Sequence, residues 1–345
     1  MSERGRSLAF GVRDRSRRAI KLSPAGKDYL WGGRRLRDDF SKDIDMSPLA
    51  ETWECSTHPD GQAIVVTGRY EGRELSECLA ENPDWLGSHP SSMGLPEGQI
   101  PILVKLIDAK QDLSVQVHPD DGYASEHEGG QLGKTEAWYV VDALRDARLV
   151  YGLREDVTAD EMRRYIDEGT LQAHLQSVSV HKDDVFFIPP GTIHAIGAGC
   201  LVAEVQESSN LTYRLYDYDR VDRDGCKREL HVDKALDVAN LKSSASPVQP
   251  MRTLRFSPGY ATELLCTCRY FQMERLILNT ERIRQMVAIR TSSLSFEVLL
   301  CIEGCGMMMC GEESMPFFKG DCFFLPANSE EVRLHGVGTF LKVRC

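Results

Sequence analysis

Apolar and polar residues alternate along much of the chain, and this period of two predicts short β-strands. Turn-forming Gly, Pro and Asp separate the alternating stretches, and helical patterns are few. Many short strands of this kind are typical of a β-sandwich or a β-barrel, so the expected fold class is mainly β. The stretches cover residues 64–68, 113–118, 136–142, 185–188, 201–206, 271–277 and 296–302.

Three other segments, residues 72–87, 158–176 and 228–241, place their apolar side chains at helical spacing. The second of them begins with Thr158 and Glu161, which are three residues apart as in a capping box. We therefore expect small helical insertions, at about 72–95 and 155–176, in a chain that otherwise forms strands.

One ten-residue pattern occurs twice in the chain. Residues 182–191 read KDDVFFIPPG and residues 319–328 read KGDCFFLPAN, an offset of 137 positions. Such a repeat predicts two copies of one β-domain, each a jelly-roll barrel, joined by a linker near 243–250. The first copy continues to His194, whereas no histidine directly follows the second. We therefore expect one active and one structural copy.

Composition and charge exclude several classes of protein. The 345 residues are 42% hydrophobic, yet no apolar run approaches the ~18 residues that a membrane span needs. A net charge of −11 argues against nucleic-acid binding. Eleven cysteines without a secretory signal indicate reduced thiols in the cytoplasm. Eleven of the first 37 residues are basic, and we expect residues 1–18 to form a mobile basic segment.

Polar side chains that are unusual for a solvent-facing strand lie in phase on four separate segments. They are, in chain order, Ser114, Gln116 and His118, then Lys134, Glu136 and Trp138, then His194, and finally Glu204 and Gln206. If these faces line one barrel interior, two imidazoles, one carboxylate and one amide oxygen meet there. Zinc is the first candidate for such a site, which Gln116, His118, Glu136 and His194 would form, with one position open for water or substrate.

Simpler interpretations compete with the chemical one at several positions. Arg214 could form a plain ion pair with Asp217 or Asp219, Lys134 could be a charge at the rim, and Glu204 could cap a loop. The remaining histidines show no partner by spacing and are interpreted as structural or solvated: His58, His89, His127, His174, His181, His231 and His335.

The chain resembles the type I mannose-6-phosphate isomerases of the cupin superfamily, in their shorter bacterial form. The matching stretches follow one another over about residues 20–240: 29–33, 51–54, 58–61, 104–108, 113–121, 133–139, 187–197, 204–217 and 228–231. The resemblance implies a catalytic cupin domain over 19–242. It also implies a degenerate, metal-free cupin domain over 251–345.

By this resemblance one Zn²⁺ per chain occupies the site of Gln116, His118, Glu136 and His194. Arg214 takes the position of the active-site arginine. Lys105, Ser114 and Lys134 fall among the substrate-side polar groups, and Glu204 is placed beside them. Whether Glu204, Lys134 or a metal-bound water is the base stays open, as does whether Arg214 meets the phosphate or the enediolate. Asn210 stands where Asp is usual, and Leu211 replaces a small polar residue.

The activity implied is zinc-dependent interconversion of mannose 6-phosphate and fructose 6-phosphate through a cis-enediol. The expected partner is a hexose 6-phosphate, with neither nucleic acid nor membrane involved, and the expected state is a cytoplasmic monomer or homodimer. Two alternatives stay open: a non-catalytic cupin that binds metal and sugar, and an iron-dependent cupin oxygenase. The presence of Lys134, Glu204 and Arg214 favours the isomerase, because a binding protein needs no base beside its metal.

Overall fold

The computed structural model describes residues 17–222 and 224–345, and their structure is mainly β, as the alternation predicts. Residues 1–16 of the expected basic segment lie outside the described part. No helix in the described ranges is both long and apolar enough to cross a membrane. The strands are β1 Ile20–Ser23, β2 Ala25–Lys27, β3 Glu51–Cys55, β4 Thr57–His58, β5 Gly61–Gln62, β6 Ile64–Val65, β7 Ile102–Asp108, β8 Val115–Val117, β9 Glu136–Ala143, β10 Arg148–Leu153, β11 Leu175–Ser179, β12 Val185–Ile188, β13 His194–Ile196, β14 Cys200–Glu207, β15 Tyr213–Tyr216, β16 Arg255–Ser257, β17 Tyr260–Thr267, β18 Gln272–Asn279, β19 Val287–Ile289, β20 Glu297–Cys310, β21 Glu313–Phe318, β22 Cys322–Leu325 and β23 Val332–Arg344.

The helices are short and lie between these strands. Thr158 and Glu161 form the capping box that the sequence predicts, with the Glu161 N–H donating to Thr158 Oγ1 at 3.2 Å. The α-helices are α1 Arg35–Asp38, α2 Leu75–Glu81, α3 Ser88–Ser91, α4 Asp121–His127, α5 Ala159–Asp167 and α6 Val232–Val238, and the 3₁₀ turns are Gly68–Tyr70, Pro83–Trp85 and Leu171–His174.

Two antiparallel sheets face each other in the first part of the chain. One has six strands in the order β12-β9-β14-β7-β3-β2, and the other has five in the order β11-β10-β13-β8-β15. Side chains from both sheets pack into one apolar cluster, with Ile107 and Val202 from the first sheet against Leu149 and Ile196 from the second. Polar side chains line the rest of the space between the two sheets.

A third sheet contains ten strands and most of the C-terminal region. Its main path is β16-β17-β18-β23-β20-β22-β1-β6, and β19 and β21 pair with β23 and β20. The sheet encloses its own apolar cluster, which includes Leu299, Phe317 and Phe340. Strand β1 belongs to this sheet, because Ile20 pairs with Phe324. Strand β1 belongs to the expected first domain, residues 19–242, but it pairs within the sheet of the expected second domain.

The repeated sequence pattern has one local structure in both places. Asp184 accepts a hydrogen bond from the main-chain N–H of His181 at 2.8 Å, and Asp321 accepts one from that of Phe318 at 2.9 Å. The preceding residues also correspond, since Asp183 and Gly320 both have positive φ, +73° and +99°. Each turn then enters a short buried strand, β12 or β22. This recurrence agrees with two copies of one β-unit, while the division into two barrels stays a prediction.

The outer face of the six-stranded sheet packs against the ten-stranded sheet. Val104 and Leu106 on one side, and Val298, Leu300 and Leu341 on the other, belong to a single cluster of buried side chains. The first part of the chain and the C-terminal part therefore share a continuous apolar core. All eleven cysteines carry free thiols, as the composition predicts.

Candidate active site

Cross-strand pairing assembles the polar groups on two facing rows. In the five-stranded sheet, Gln116 on β8 lies between Arg214 on β15 and His194 on β13. In the six-stranded sheet, Glu204 lies between Lys105 and Trp138. Directly opposed residues of adjacent strands point to the same side of a sheet. The alternation in each strand therefore puts these side chains on the inner faces, toward one another.

Three buried side chains form a compact cluster of metal-binding character. His118, Glu136 and His194 present ligand atoms that lie within 4.8 Å of one another. The Nε2 atom of His118 is 3.3 Å from Glu136 Oε1, and Nε2 of His194 is 3.6 Å from Glu136 Oε2. Gln116 adds its amide, with Nε2 at 3.4 Å from His194 Nε2. The four positions that the sequence singles out therefore meet at one point.

The chemistry of this donor set fits a divalent cation. Both oxygens of Glu136 are buried, and neither receives a well-aligned hydrogen bond from the described residues, although Lys134 Nζ is 2.9 Å from Oε1. His194 directs Nδ1 at the carbonyl oxygen of Thr192, 2.8 Å away, which leaves Nε2 as the free ligand atom. A carboxylate with two neutral imidazoles is typical of a zinc site.

Electrostatics keeps these side chains in the protonation states that a metal requires. Burial and the Lys134 ammonium lower the pKa of His118 to about 3. Burial likewise lowers the pKa of His194. Burial alone would raise the pKa of Glu136, but Lys134, His118 and His194 together outweigh burial and hold that pKa well below the ordinary value. The cluster is therefore a carboxylate flanked by neutral imidazoles at neutral pH.

An open cleft of about 260 Å³ lies beside the cluster. Lys105 extends into it between two carboxylates, with Nζ at 3.1 Å from Glu204 Oε1 and 3.7 Å from Glu51 Oε2. Trp138 donates its indole N–H to Glu204 Oε2 at 2.8 Å. The other predicted side chains on its wall are Ser114, Gln116, Lys134 and Arg214.

Lys105 lowers the pKa of Glu204, and Glu204 raises the pKa of Lys105. Burial and the nearby Glu136 carboxylate raise the pKa of Glu204, and Lys105 only partly opposes the rise. Burial would lower the pKa of Lys105, but Glu204 and Glu51 outweigh it and raise that pKa. The carboxyl group of Glu204 is therefore a stronger base than an exposed glutamate and lies next to a permanent cation.

Arg214 has no carboxylate within 4.0 Å among residues 17–222 and 224–345. Asp217, its expected partner in the simpler interpretation, pairs instead with Arg220 and Arg228. Asp219 pairs with Lys227 at 2.6 Å. The guanidinium of Arg214 contacts Ser114 Oγ at 3.3 Å and borders the cleft. It is therefore a fixed positive charge available to an anionic ligand.

Comparison with known proteins decides the family. The chain matches the family description "Phosphomannose isomerase type I, catalytic domain" over residues 19–139 and "Mannose-6-phosphate isomerase, cupin domain" over residues 263–345. It is 39% identical over 318 residues to the mannose-6-phosphate isomerase ManA of Bacillus subtilis, covering 91% of this chain and 95% of that protein. The chain belongs to the type I phosphomannose isomerases. It is an enzyme of that family.

Further mannose-6-phosphate isomerases agree with this chain in length and fold. The mannose-6-phosphate isomerase of Streptococcus mutans is 37% identical over 86% of this chain and 89% of its own. The crystal structure of the Bacillus subtilis mannose 6-phosphate isomerase superposes with a TM-score of 0.84 at 33% identity, covering 94% of this chain and 99% of that one. A zinc-bound mannose 6-phosphate isomerase at 16% identity shares the fold, with a TM-score of 0.73 over 94% of this chain and 98% of its own.

Several residues on the cleft wall of this phosphomannose isomerase carry no assigned role in the sequence interpretation. Tyr29, Glu51, Thr212 and Arg228 line the cleft together with the predicted residues. All four lie in stretches that resemble the family, residues 29–33, 51–54, 204–217 and 228–231, so position in those stretches was the available signal. Gln206, in contrast, donates to main-chain carbonyls and has no place on the cleft wall.

Proposed function

We propose that the protein interconverts mannose 6-phosphate and fructose 6-phosphate, with one Zn²⁺ per chain held by Gln116, His118, Glu136 and His194. The observation that carries this proposal is the convergence of the buried His118, Glu136 and His194 ligand atoms within 4.8 Å beside a cleft that contains Glu204 and Arg214. When bound, the ion supplies Lewis-acid polarisation of the sugar oxygens. The names of the relatives support the same substrates.

Glu204 is the proposed general base. Removal of the C2 proton of the open-chain aldose gives a cis-enediolate with its charge on O1, and return of that proton to C1, with the hydroxyl proton moving from O2 to O1, gives the ketose. One carboxyl group can do both transfers because C1 and C2 are adjacent. Its raised pKa favours proton pick-up, and the contacts from Lys105 and Trp138 fix both of its oxygens.

We propose different roles for the cationic side chains of the cleft. Lys134 lies 2.9 Å from Glu136 Oε1, so it is placed to hydrogen-bond the sugar oxygens next to the ligand cluster. Arg214 is free of carboxylates within 4.0 Å in the described part of the chain and has a planar fork of donors, so it is assigned to the substrate anion, with Lys105 and Ser114 as further polar contacts on the substrate. Positive charge is thus concentrated at the cleft of a protein whose net charge is −11.

The proposed organisation places catalysis in residues 19–242 and assigns residues 251–345 to a metal-free cupin unit. The turn that recurs at Asp184 and Asp321 supports two related units, although β1 pairs across the proposed division. We further propose a cytoplasmic enzyme, in agreement with the free thiols and the lack of a membrane-spanning helix in the described part.

The test combines metal analysis with a coupled assay of the purified full chain. We expect about one zinc per chain, turnover of mannose 6-phosphate to fructose 6-phosphate, loss of at least ~99% of that turnover after chelation, and recovery on adding Zn²⁺. Full turnover in metal-free protein would end the zinc-dependent proposal. Binding of sugar phosphate without turnover would identify a binding protein, and oxygen consumption with bound iron would identify an oxygenase.

A further inference from the structure

Arg214 lies on β15, the edge strand of the five-stranded sheet. On one side this strand pairs with β8, where Arg214 is opposite Gln116. On the other side no strand follows among the described residues. A main-chain N–H on such an edge needs a partner from elsewhere if it is not to face solvent.

His231 supplies that partner through both its side chain and its main chain. The N–H of Arg214 donates to Nδ1 of His231 at 3.2 Å, and the N–H of His231 donates to the carbonyl oxygen of Arg214 at 2.8 Å. Both polar main-chain groups of Arg214 are therefore bound by one residue, which immediately precedes helix α6.

The same short segment also holds the guanidinium of Arg214. Its Nη1 donates to the carbonyl oxygen of Glu229 at 2.8 Å, while Nε donates to Ser114 Oγ at 3.3 Å. Because Glu229 and His231 are two residues apart, any displacement of His231 also moves the carbonyl that orients the guanidinium. The direction of the Arg214 side chain therefore depends on the segment that ends at His231.

We propose that His231 is a positioning residue for Arg214, which it holds through an unprotonated Nδ1. The imidazole can accept the Arg214 N–H only as the tautomer with its proton on Nε2, and a protonated ring presents two donors instead. Protonation would thus replace an attraction by a donor–donor contact beside the guanidinium. This inference rests on the proposed function, because it needs Arg214 to act on the substrate.

The charges around His231 favour the neutral ring. From β15, Arg214 lowers its pKa in addition to the effect of burial, and from α6, Lys234 acts in the same direction. Glu229 in the preceding segment and Glu128 after α4 oppose them but do not reverse the shift. The ring of Tyr213 lies 6.4 Å away and carries no charge at neutral pH. The contact is therefore present at neutral pH and lost as the pH falls through the lowered pKa.

The experiment compares His231→Asn and His231→Ala in the full, zinc-loaded chain. Asn offers an acceptor near the position of Nδ1 that does not titrate, and it is a favoured residue before a helix. We expect His231→Asn to retain kcat/KM within about twofold at about pH 8 and to lose less of it than wild type at about pH 5.5. His231→Ala should lower kcat/KM about tenfold with unchanged zinc. His181→Asn, on a histidine that is 77% exposed, is the matched control.

Zinc is measured at each pH, so that loss of metal from its ligands is separated from loss of the Arg214 contact. Identical pH profiles for wild type and His231→Asn, loss of activity by His231→Asn at about pH 8 with zinc retained, or full activity of His231→Ala would each overturn the inference. Absence of isomerase activity in wild type would instead overturn the proposed function.

The tautomer of His231 in the wild-type protein gives a measurement that does not depend on the folding of a variant. Long-range ¹H–¹⁵N spectra distinguish a protonated Nε2 from a protonated Nδ1. We expect the proton on Nε2 at about pH 8, and a pKa below the ordinary ~6.5. A proton on Nδ1 would overturn the inference.

Discussion

Lys105 and Glu204 face each other across strands β7 and β14, with Nζ and Oε1 3.1 Å apart in the wall of the cleft. The other oxygen of Glu204 accepts the indole N–H of Trp138 at 2.8 Å. A buried carboxylate that is held at both oxygens has one fixed orientation. The proposed base is therefore set in place before any substrate arrives, which removes the cost of orienting it during the reaction.

Glu204→Gln should reduce kcat by about 10²–10⁴-fold, because the amide keeps the shape of the side chain but cannot take a proton. Bound zinc should stay unchanged, since Glu204 is not among the proposed ligands. Steady-state kinetics with metal analysis makes the measurement. Glu126→Gln, on a side chain that is 80% exposed, is the control. Turnover within about twofold of wild type would remove Glu204 from the proton-transfer role.

Arg214→Ala should lower kcat/KM by about 10²-fold or more while the zinc content stays the same, because a desolvated anion loses its fixed partner. Arg214→Lys restores the charge without the planar fork, and we expect it to recover only part of the loss. The exposed Arg145 provides the control variant Arg145→Ala. Unchanged kinetics in Arg214→Ala would make this arginine structural.

Lys42 forms a buried ion pair with Glu54 and also contacts the C-terminal part of the molecule. The two atoms Nζ and Oε2 are 2.6 Å apart, and the side chains are 7% and 0% exposed. Lys42 Nζ also donates to the carbonyl oxygen of Gly320, in the turn of the second repeat. Lys42→Met should lower the free energy of unfolding by about 3–5 kcal/mol, because the buried Glu54 loses its cationic partner and keeps the hydrogen bond from Thr52 Oγ1.

The double variant Lys42→Met with Glu54→Met should recover most of that loss, since no buried charge remains. Urea unfolding of the single and double variants gives the coupling between the two side chains. If Lys42→Met lowered the free energy of unfolding by less than about 1 kcal/mol, water would be stabilising the Glu54 carboxylate in place of Lys42.

Glu207 makes the stability of the protein fall as the pH rises toward about 8. Burial and the nearby Asp121 carboxylate raise its pKa to about 8, although the main-chain N–H of Thr135 donates to Glu207 Oε2 at 2.7 Å and opposes the rise. A carboxyl group whose pKa is raised by folding stabilises the native state fully below its unfolded pKa, and this contribution is lost as the pH rises toward about 8. We therefore expect Glu207→Gln, which stays neutral, to lose less stability than wild type between about pH 5 and pH 8.

Urea unfolding of both proteins across that range tests the expectation, at up to about 1.4 kcal/mol per pH unit. If the free energy of unfolding depended on pH in the same way in wild type and in Glu207→Gln, the Glu207 carboxyl group would not be the cause of that dependence. The exposed Glu126→Gln serves again as control.

The sequence alone was sufficient to predict those structural features that depend on the local pattern of residues. Strand β12 has the predicted bounds, and the capping box begins α5. Alternation alone placed Gln116 and His118 on one face, because a strand sends every second side chain to the same side. The helical pattern of 158–176 ends early, however. Leu175 begins strand β11, where pairing with β10 outweighs helical spacing.

Structural features that depend on pairing between strands far apart in the sequence could not be predicted from the local residue pattern. The contact of His231 with Arg214 exists because β15 is an edge strand, which is a property of the whole sheet. Arg228 and Glu51 lie in stretches that resemble the family, but only the fold shows that both reach the cleft wall. The two-barrel division remains a prediction, and the position of β1 within the C-terminal sheet was not anticipated.

The pairing of β1 with β22 has a consequence for biosynthesis. Ile20 leaves the ribosome 304 residues before its partner Phe324. The ten-stranded sheet therefore cannot close until β22 has been synthesised, and the apolar side of β1 stays uncovered until then. We expect slow, late folding that depends on long sequence separations, and a vulnerability to aggregation when translation stops early.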